Sequence, residues 1–163
     1  MNYKLLGCLV LLFVVLIFPA SASMVSILLV ETGLNEAAPA TQHASLWEGG
    51  LMASLFDAGL IVTNSPVLRM EQKPVRVLDS TVRIDFDDAA MGGADFFVLC
   101  LLEFQSQGRG AVPVAITIQT YKTDTQELIF EQIFSANRGN NQNEEYQIAQ
   151  NAGKVIVSHI KDR

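Results

Sequence analysis

Basic charge is scarce in this chain, cysteine and histidine are scarcer, and no sequence motif for phosphate binding or nucleophilic catalysis occurs. Lysine and arginine number 11 against 17 aspartates and glutamates, a formal net charge of −6. Binding nucleic acid, or an anionic membrane surface, through charge neutralisation needs the opposite balance, so neither partner is expected. The two cysteines are Cys8 and Cys100, too few for a disulfide-stapled secreted scaffold. Cys100 sits between Phe96-Phe97-Val98-Leu99 and Leu101-Leu102, surroundings that fit a buried, inert thiol.

His43 and His159 are the only histidines, and neither has a cysteine or another histidine nearby in sequence. A zinc site takes three or four convergent ligands, so His43 reads as a first-turn helix residue and His159 as a helix C-terminal one. Asp85-Phe86-Asp87-Asp88 is followed by Ala89-Ala90-Met91-Gly92-Gly93, without the further oxygen ligands and glutamate of a calcium loop. Ser45, Ser54, Ser65 and Ser80 lack the glycine-flanked nucleophile elbow, and neither GxGxxG nor a phosphate loop is present. The expectation is a protein with no cofactor, no metal and no catalytic residue.

What the chain does have is a distinctive start. Lys4 precedes an apolar run from Leu5 to Phe18, and Pro19-Ala20-Ser21-Ala22 ends in the small-x-small pattern of a signal-peptidase site, with cleavage expected between Ala22 and Ser23. The run is shorter than the ~20 residues that span a bilayer core, so an uncleaved membrane anchor is the alternative reading. Leu5-Leu6-Gly7-Cys8 has the outline of a lipoprotein box, but cleavage there would leave the apolar run on the product. Residues 1–22 are therefore expected as a signal peptide and 23–163 as one domain, exported to the periplasm or secreted, with no membrane insertion after cleavage.

Within that domain, Met24 to Val30 reads as a strand covered on both faces. Ala44, Trp47, Leu51, Leu55 and Ala58 recur at helical spacing, with Gly59 at the C′ position, which predicts a helix of roughly 17 residues. Trp47 belongs to its core stripe. Gly49 and Gly50 interrupt the helix at a cost of about 1 kcal/mol each against alanine, for which close approach to a sheet is the expected compensation. Leu60 to Thr63 is a second strand ended by Asn64-Ser65-Pro66, so a parallel β-α-β start follows.

Residues 67–84 are expected as a long surface connection with some extended structure. Asp85 is the expected N-cap of a short helix, with Asp87 and Asp88 near its first turn and Gly92-Gly93 closing it. Phe96 to Glu103 should be a central strand. Val112, Val114, Ile116 and Ile118 alternate along the next, and Leu128 to Phe134 completes an antiparallel meander. Gly108-Arg109-Gly110 forms the intervening hairpin tip, and Asn137 to Asn143 a polar loop. A last helix places Ile148, Ala152, Val155 and His159 on one stripe with Ala149, Ile156 and Ile160 beside it, Glu144 and Glu145 at its start, and Lys161 and Arg163 at its end. The fold class is thus α/β, α+β-like: a single mixed sheet of about five strands with packed helices, one of them C-terminal.

Three local features resemble a known group. A helix runs into Leu55-Phe56-Asp57-Ala58-Gly59-Leu60-Ile61-Val62, Gly93-Ala94-Asp95-Phe96-Phe97-Val98 enters the central strand, and a hairpin passes through Thr123-Asp124-Thr125-Gln126-Glu127-Leu128. In these the chain resembles the small envelope domains that include the N-terminal domain of TolB, the CsgG-type curli secretion proteins and the penicillin-binding-protein activator LpoB. Gln126 stands where such proteins often have glycine. The resemblance implies a noncatalytic domain that binds an envelope protein, and it transfers no catalytic residue. The competing expectation is a small ligand-binding or enzymatic domain, with convergent polar groups near Asp95, Glu103 or Glu131 around a cavity.

Overall fold

A computed structural model of the chain describes residues 22–34, 41–71, 74, 81–107, 110–135 and 141–162. The signal segment apart from Ala22, the tip residues Gly108 and Arg109, and Ser80 lie outside the described residues. The elements are β1 (Met24–Thr32), α1 (Gln42–Asp57), β2 (Ile61–Asn64), β3 (Leu68–Met70), α2 (Val82–Met91), β4 (Phe96–Gln107), β5 (Gly110–Lys122), β6 (Leu128–Ser135) and α3 (Gln142–Lys161).

All six strands form one mixed sheet in the order β2-β1-β4-β5-β6. β1 pairs in parallel with β2, β3 and β4, whereas β4-β5 and β5-β6 are antiparallel. The expected β-α-β start and meander are therefore present. The sixth strand, β3, arises where residues 67–84 were expected as a connection: it continues the pairing of β2 with β1 beyond the interruption at Ser65-Pro66-Val67, joining Leu68, Arg69 and Met70 to Val30, Glu31 and Thr32.

β1 and β4 lie inside the sheet, so Val25 to Thr32 and Phe96 to Leu102 are buried on both faces, and these stretches read as nearly continuous apolar runs. One face carries Val25, Ile27, Leu29, Val98, Cys100 and Leu102 against Trp47, Leu51 and Leu55 of α1 and Ala149, Ala152 and Ile156 of α3. The opposite face carries Leu28, Val30, Phe97, Leu99 and Leu101 against Val82 and Phe86 of α2. Phe86 meets Phe97 edge to face at 5.3 Å.

The glycine explanation needs correcting. Gly50 does not bring α1 onto the sheet: a Cβ built there would lie 2.6 Å from Ala149 Cβ and 2.8 Å from the Tyr146 carbonyl oxygen, both on α3. Gly153 reciprocates, its Cβ position falling 2.7 Å from Ser54 Cβ on α1. The two helices are thus packed backbone to backbone, and Ser54 Oγ donates to the Gln150 carbonyl across the seam at 2.7 Å.

Three further expectations shift. α2 begins at Val82 after Thr81, so Asp85 lies in its first turn rather than at its N-cap. Asp87 pairs one turn back with Arg83 at 2.8 Å. Of the alternating apolar residues of β5, Val114 is exposed at the register shift by Glu103/Phe104, while Ile116 and Ile118 are buried. On α3 the buried stripe is Ala149, Ala152, Gly153, Ile156 and Ile160, and Val155 and His159 are exposed. Gly153 lies against Ser54 and Leu51 of α1, and Val155 is 38 % exposed.

Candidate functional site

α1 and α3 each follow a strand running in the same direction, so both helix N-termini lie at the sheet end where β1, β4 and β6 finish. Thr41 caps α1, its hydroxyl accepting from the Ala44 N–H at 3.3 Å, and Asn141 caps α3, its side chain accepting from the Glu144 N–H at 3.0 Å. Two ionic groupings form there.

In the first, Glu31 ends β1 with its carboxylate fully buried. Arg69 donates to Oε2 through Nε at 2.8 Å and Nη2 at 2.6 Å, and Thr41 donates to Oε1 through its backbone N–H at 2.9 Å and its hydroxyl. A buried carboxylate survives only when paired and hydrogen-bonded, and here the arginine and the helix cap supply both. In the second, Glu145 reaches from α3 to α1. Its oxygens lie 2.8 and 3.0 Å from His43 Nδ1, and Oε1 accepts from Trp47 Nε1 at 3.0 Å. Trp47 packs on Phe134 at 5.6 Å and His43 on Phe104 at 6.0 Å.

In each grouping the carboxylate is engaged by the groups that position it, and Glu145 holds His43 through Nδ1. Among the described residues no three His, Cys, Asp or Glu side chains group closely enough to hold a metal ion. An open groove of about 610 Å³ lies beside them, lined among the described residues by Leu46, Asn141, Gln142, Asn143 and Tyr146, of which only Tyr146 is titratable.

The other sequence candidates are dispersed. His159 is exposed and stacks on Phe130 at 4.7 Å. Ser45 lies exposed on α1, Ser54 serves the helix seam, and Ser65 belongs to the turn, its N–H donating to the Ile27 carbonyl at 3.0 Å. Asp88 is exposed on α2. Asp95 and Glu103 are eight positions apart on one strand path, roughly 26 Å at strand rise. The Asp95 carboxylate accepts from the Met24 N–H at 2.8 Å, and Glu131 accepts from Gln119 Nε2 at 2.7 Å. These three carboxylates do not meet in one site. Cys100 is wholly buried, which pushes its thiol pKa up.

Two groupings thus escaped the sequence reading. Glu31 was legible only as the end of an apolar run, and Arg69 lies in the connection where only unspecified extended structure was expected. A Glu145–Trp47 contact has no local signature because 98 positions separate them.

The opposite end of the sheet exposes large apolar side chains among charged ones, which include Asp57, Asp95 and the Lys122–Asp124 ion pair. There β1, β2 and β4 begin and α1 and α2 finish. Phe56, Ile61 and Met91 are exposed at 72, 51 and 78 %, and Leu128 joins them from the start of β6. Among the described residues no helix is long and apolar enough to cross a membrane.

Fold and site together define a mixed α/β domain with two parallel helices on one face and a short helix on the other. No protein-family model and no curated protein matches the chain. Among solved structures it is similar to PelC from Paraburkholderia phytofirmans, at 11 % identity over 87 % of this chain and 89 % of that one, with a TM-score of 0.47. It is similar to TolB from Acinetobacter baumannii at 14 % identity, covering 88 % of this chain but 28 % of that one, with a TM-score of 0.41. The LpoB C-terminal domain from Salmonella enterica matches at 15 % identity over 76 % and 89 %, with a TM-score of 0.37. TolB and LpoB are two of the proteins whose motifs the sequence resembles.

Proposed function

We propose that the chain is an exported, noncatalytic component of a bacterial cell envelope that binds another envelope protein as an accessory or assembly factor. One observation carries this reading. At one end of the sheet the buried carboxylates are held by internal ties, while the other end exposes Phe56, Ile61, Met91 and Leu128, spread across it among charged residues such as Asp57, Asp95 and the Lys122–Asp124 pair. Exposed apolar side chains at one end of a packed domain suit a protein contact, whereas a ligand site would need convergent polar groups in a cavity. The resemblance to TolB, CsgG-type and LpoB domains supports the same class of role. Release at Ala22/Ser23 would leave this end uncovered.

In-cell crosslinking followed by identification of captured proteins tests the proposal. A specific envelope protein should be captured by the wild type and lost when Phe56 and Met91 are both changed to serine. Absence of any specific partner, together with turnover or tight binding of a small molecule, would overturn it.

A further inference from the structure

The two edges of the sheet are built differently. The β2-β3 edge is broken into strands of four and three residues, with Pro66 in the interruption, and short or proline-bearing edges resist pairing with other chains. β6 is an unbroken strand of eight residues, paired on one side only among the described residues, with neither proline nor lysine and a single carboxylate, Glu131. In a chain of net charge −6, that edge is poor in the charge that would keep two copies apart.

Alternate N–H and C=O groups of β6 point away from β5 and are satisfied by water or by another strand. Ile133, directly across from Thr117, is 67 % exposed. On the other face Phe134 and Gln132 join Ile148, Asn151 and Val155 of α3 in a groove of about 290 Å³ along the edge.

Matching β6 against itself selects a register. Antiparallel pairing centred on Glu131 opposes two carboxylates, which is unfavourable. Centring on Gln132 sets Glu131 against Ile133. Centring on Ile133 brings the two exposed isoleucines together and places Glu131 opposite the Ser135 hydroxyl, which can donate to it. We propose that the β6 edge pairs antiparallel with β6 of a second copy of this chain, Ile133 opposite Ile133, joining two sheets into one. This does not depend on the identity of any envelope partner, whose proposed contact lies at the end bearing Phe56 and Met91.

The test uses the chain purified as its host processes it. Sedimentation equilibrium should show a dimer, and Ile133→Lys should raise the dissociation constant by about tenfold or more, because it sets two ammonium groups opposite each other. Ile61→Lys, at the broken edge, should leave the dimer unchanged. A short bismaleimide should link Ile133→Cys into a dimer but not Ile61→Cys or the wild type, whose Cys100 is buried. A wild type that stays monomeric, or equal behaviour of the Ile133 and Ile61 variants, would overturn the proposal.

Discussion

Glu31 and Arg69 face each other across the β1-β3 pairing, with the guanidinium donating two hydrogen bonds to one oxygen of a carboxylate that no solvent reaches. The other oxygen holds Thr41, which caps α1. One buried acid therefore fixes three elements: the end of β1, the short strand β3 and the start of α1.

Glu31→Ala should destabilise the domain by about 3–5 kcal/mol, since it removes the carboxylate that two donors of a buried arginine engage. Urea unfolding of the variant and the wild type checks this. Replacing both Glu31 and Arg69 by leucine should recover much of the loss.

Adjacent glycines should respond with opposite signs. Gly50→Ala drives a methyl into Ala149 and the α3 backbone, and overpacking of this kind costs about 1–3 kcal/mol. Gly49→Ala meets only Tyr146 Cε2 at 3.4 Å and should gain close to the helix-propensity difference of about 1 kcal/mol. Thermal unfolding midpoints should move down for the first and up for the second.

Thr120 is fully buried beneath α1 and α3, and its hydroxyl has no hydrogen-bond partner among the described residues. Thr120→Val keeps the shape and removes the unmet polar group, so stability should rise by about 1 kcal/mol, read from chemical denaturation.

Burial, with the charge of Glu131 adding to it, pushes the Tyr121 phenol up to about 12. The folded state thus holds its proton where the unfolded chain, titrating near pH 10, releases it. The sign follows: Tyr121 leaves stability unchanged below about pH 10 and withdraws it as pH rises from there toward 12. Tyr121→Phe should flatten the decline in stability over that alkaline range.

Gln126 adopts a left-handed conformation, φ +58°, in the β5-β6 turn. This is the position where the resembling proteins often carry glycine, and the backbone here shows why glycine suits it. Gln126→Gly should stabilise the hairpin by about 1 kcal/mol, measured by thermal unfolding.

Elements were legible wherever one short-range rule governed them. β1 and β4 announce themselves as apolar runs because both of their faces are covered, and α1 does so through Ala44, Trp47, Leu51 and Leu55. β3 was expected only as unspecified extended structure within residues 67–84, because three residues with a charged centre carry no periodicity; Arg69 makes sense there only once Glu31 is beside it. The α3 stripe was misplaced by one helical position because Gly153, an unlikely core residue on composition, is buried for the sake of Ser54. The His43–Glu145–Trp47 grouping was hidden for the same reason, since its members meet only after α1 and α3 have packed. The exposure of Phe56, Ile61 and Met91 at one end likewise depends on which strand and helix termini share that end of the sheet.

The functional account rests on export. Met24 opens β1 and is held by Asp95 two residues after the expected cut, so cleavage would free a domain with almost no tail and with Phe56, Ile61 and Met91 uncovered. The mature N-terminus, determined on protein isolated from the host's extracytoplasmic fraction, tests this most directly. The mature product should begin Ser23-Met24-Val25. An intact Met1 on protein in the cytosol would contradict it.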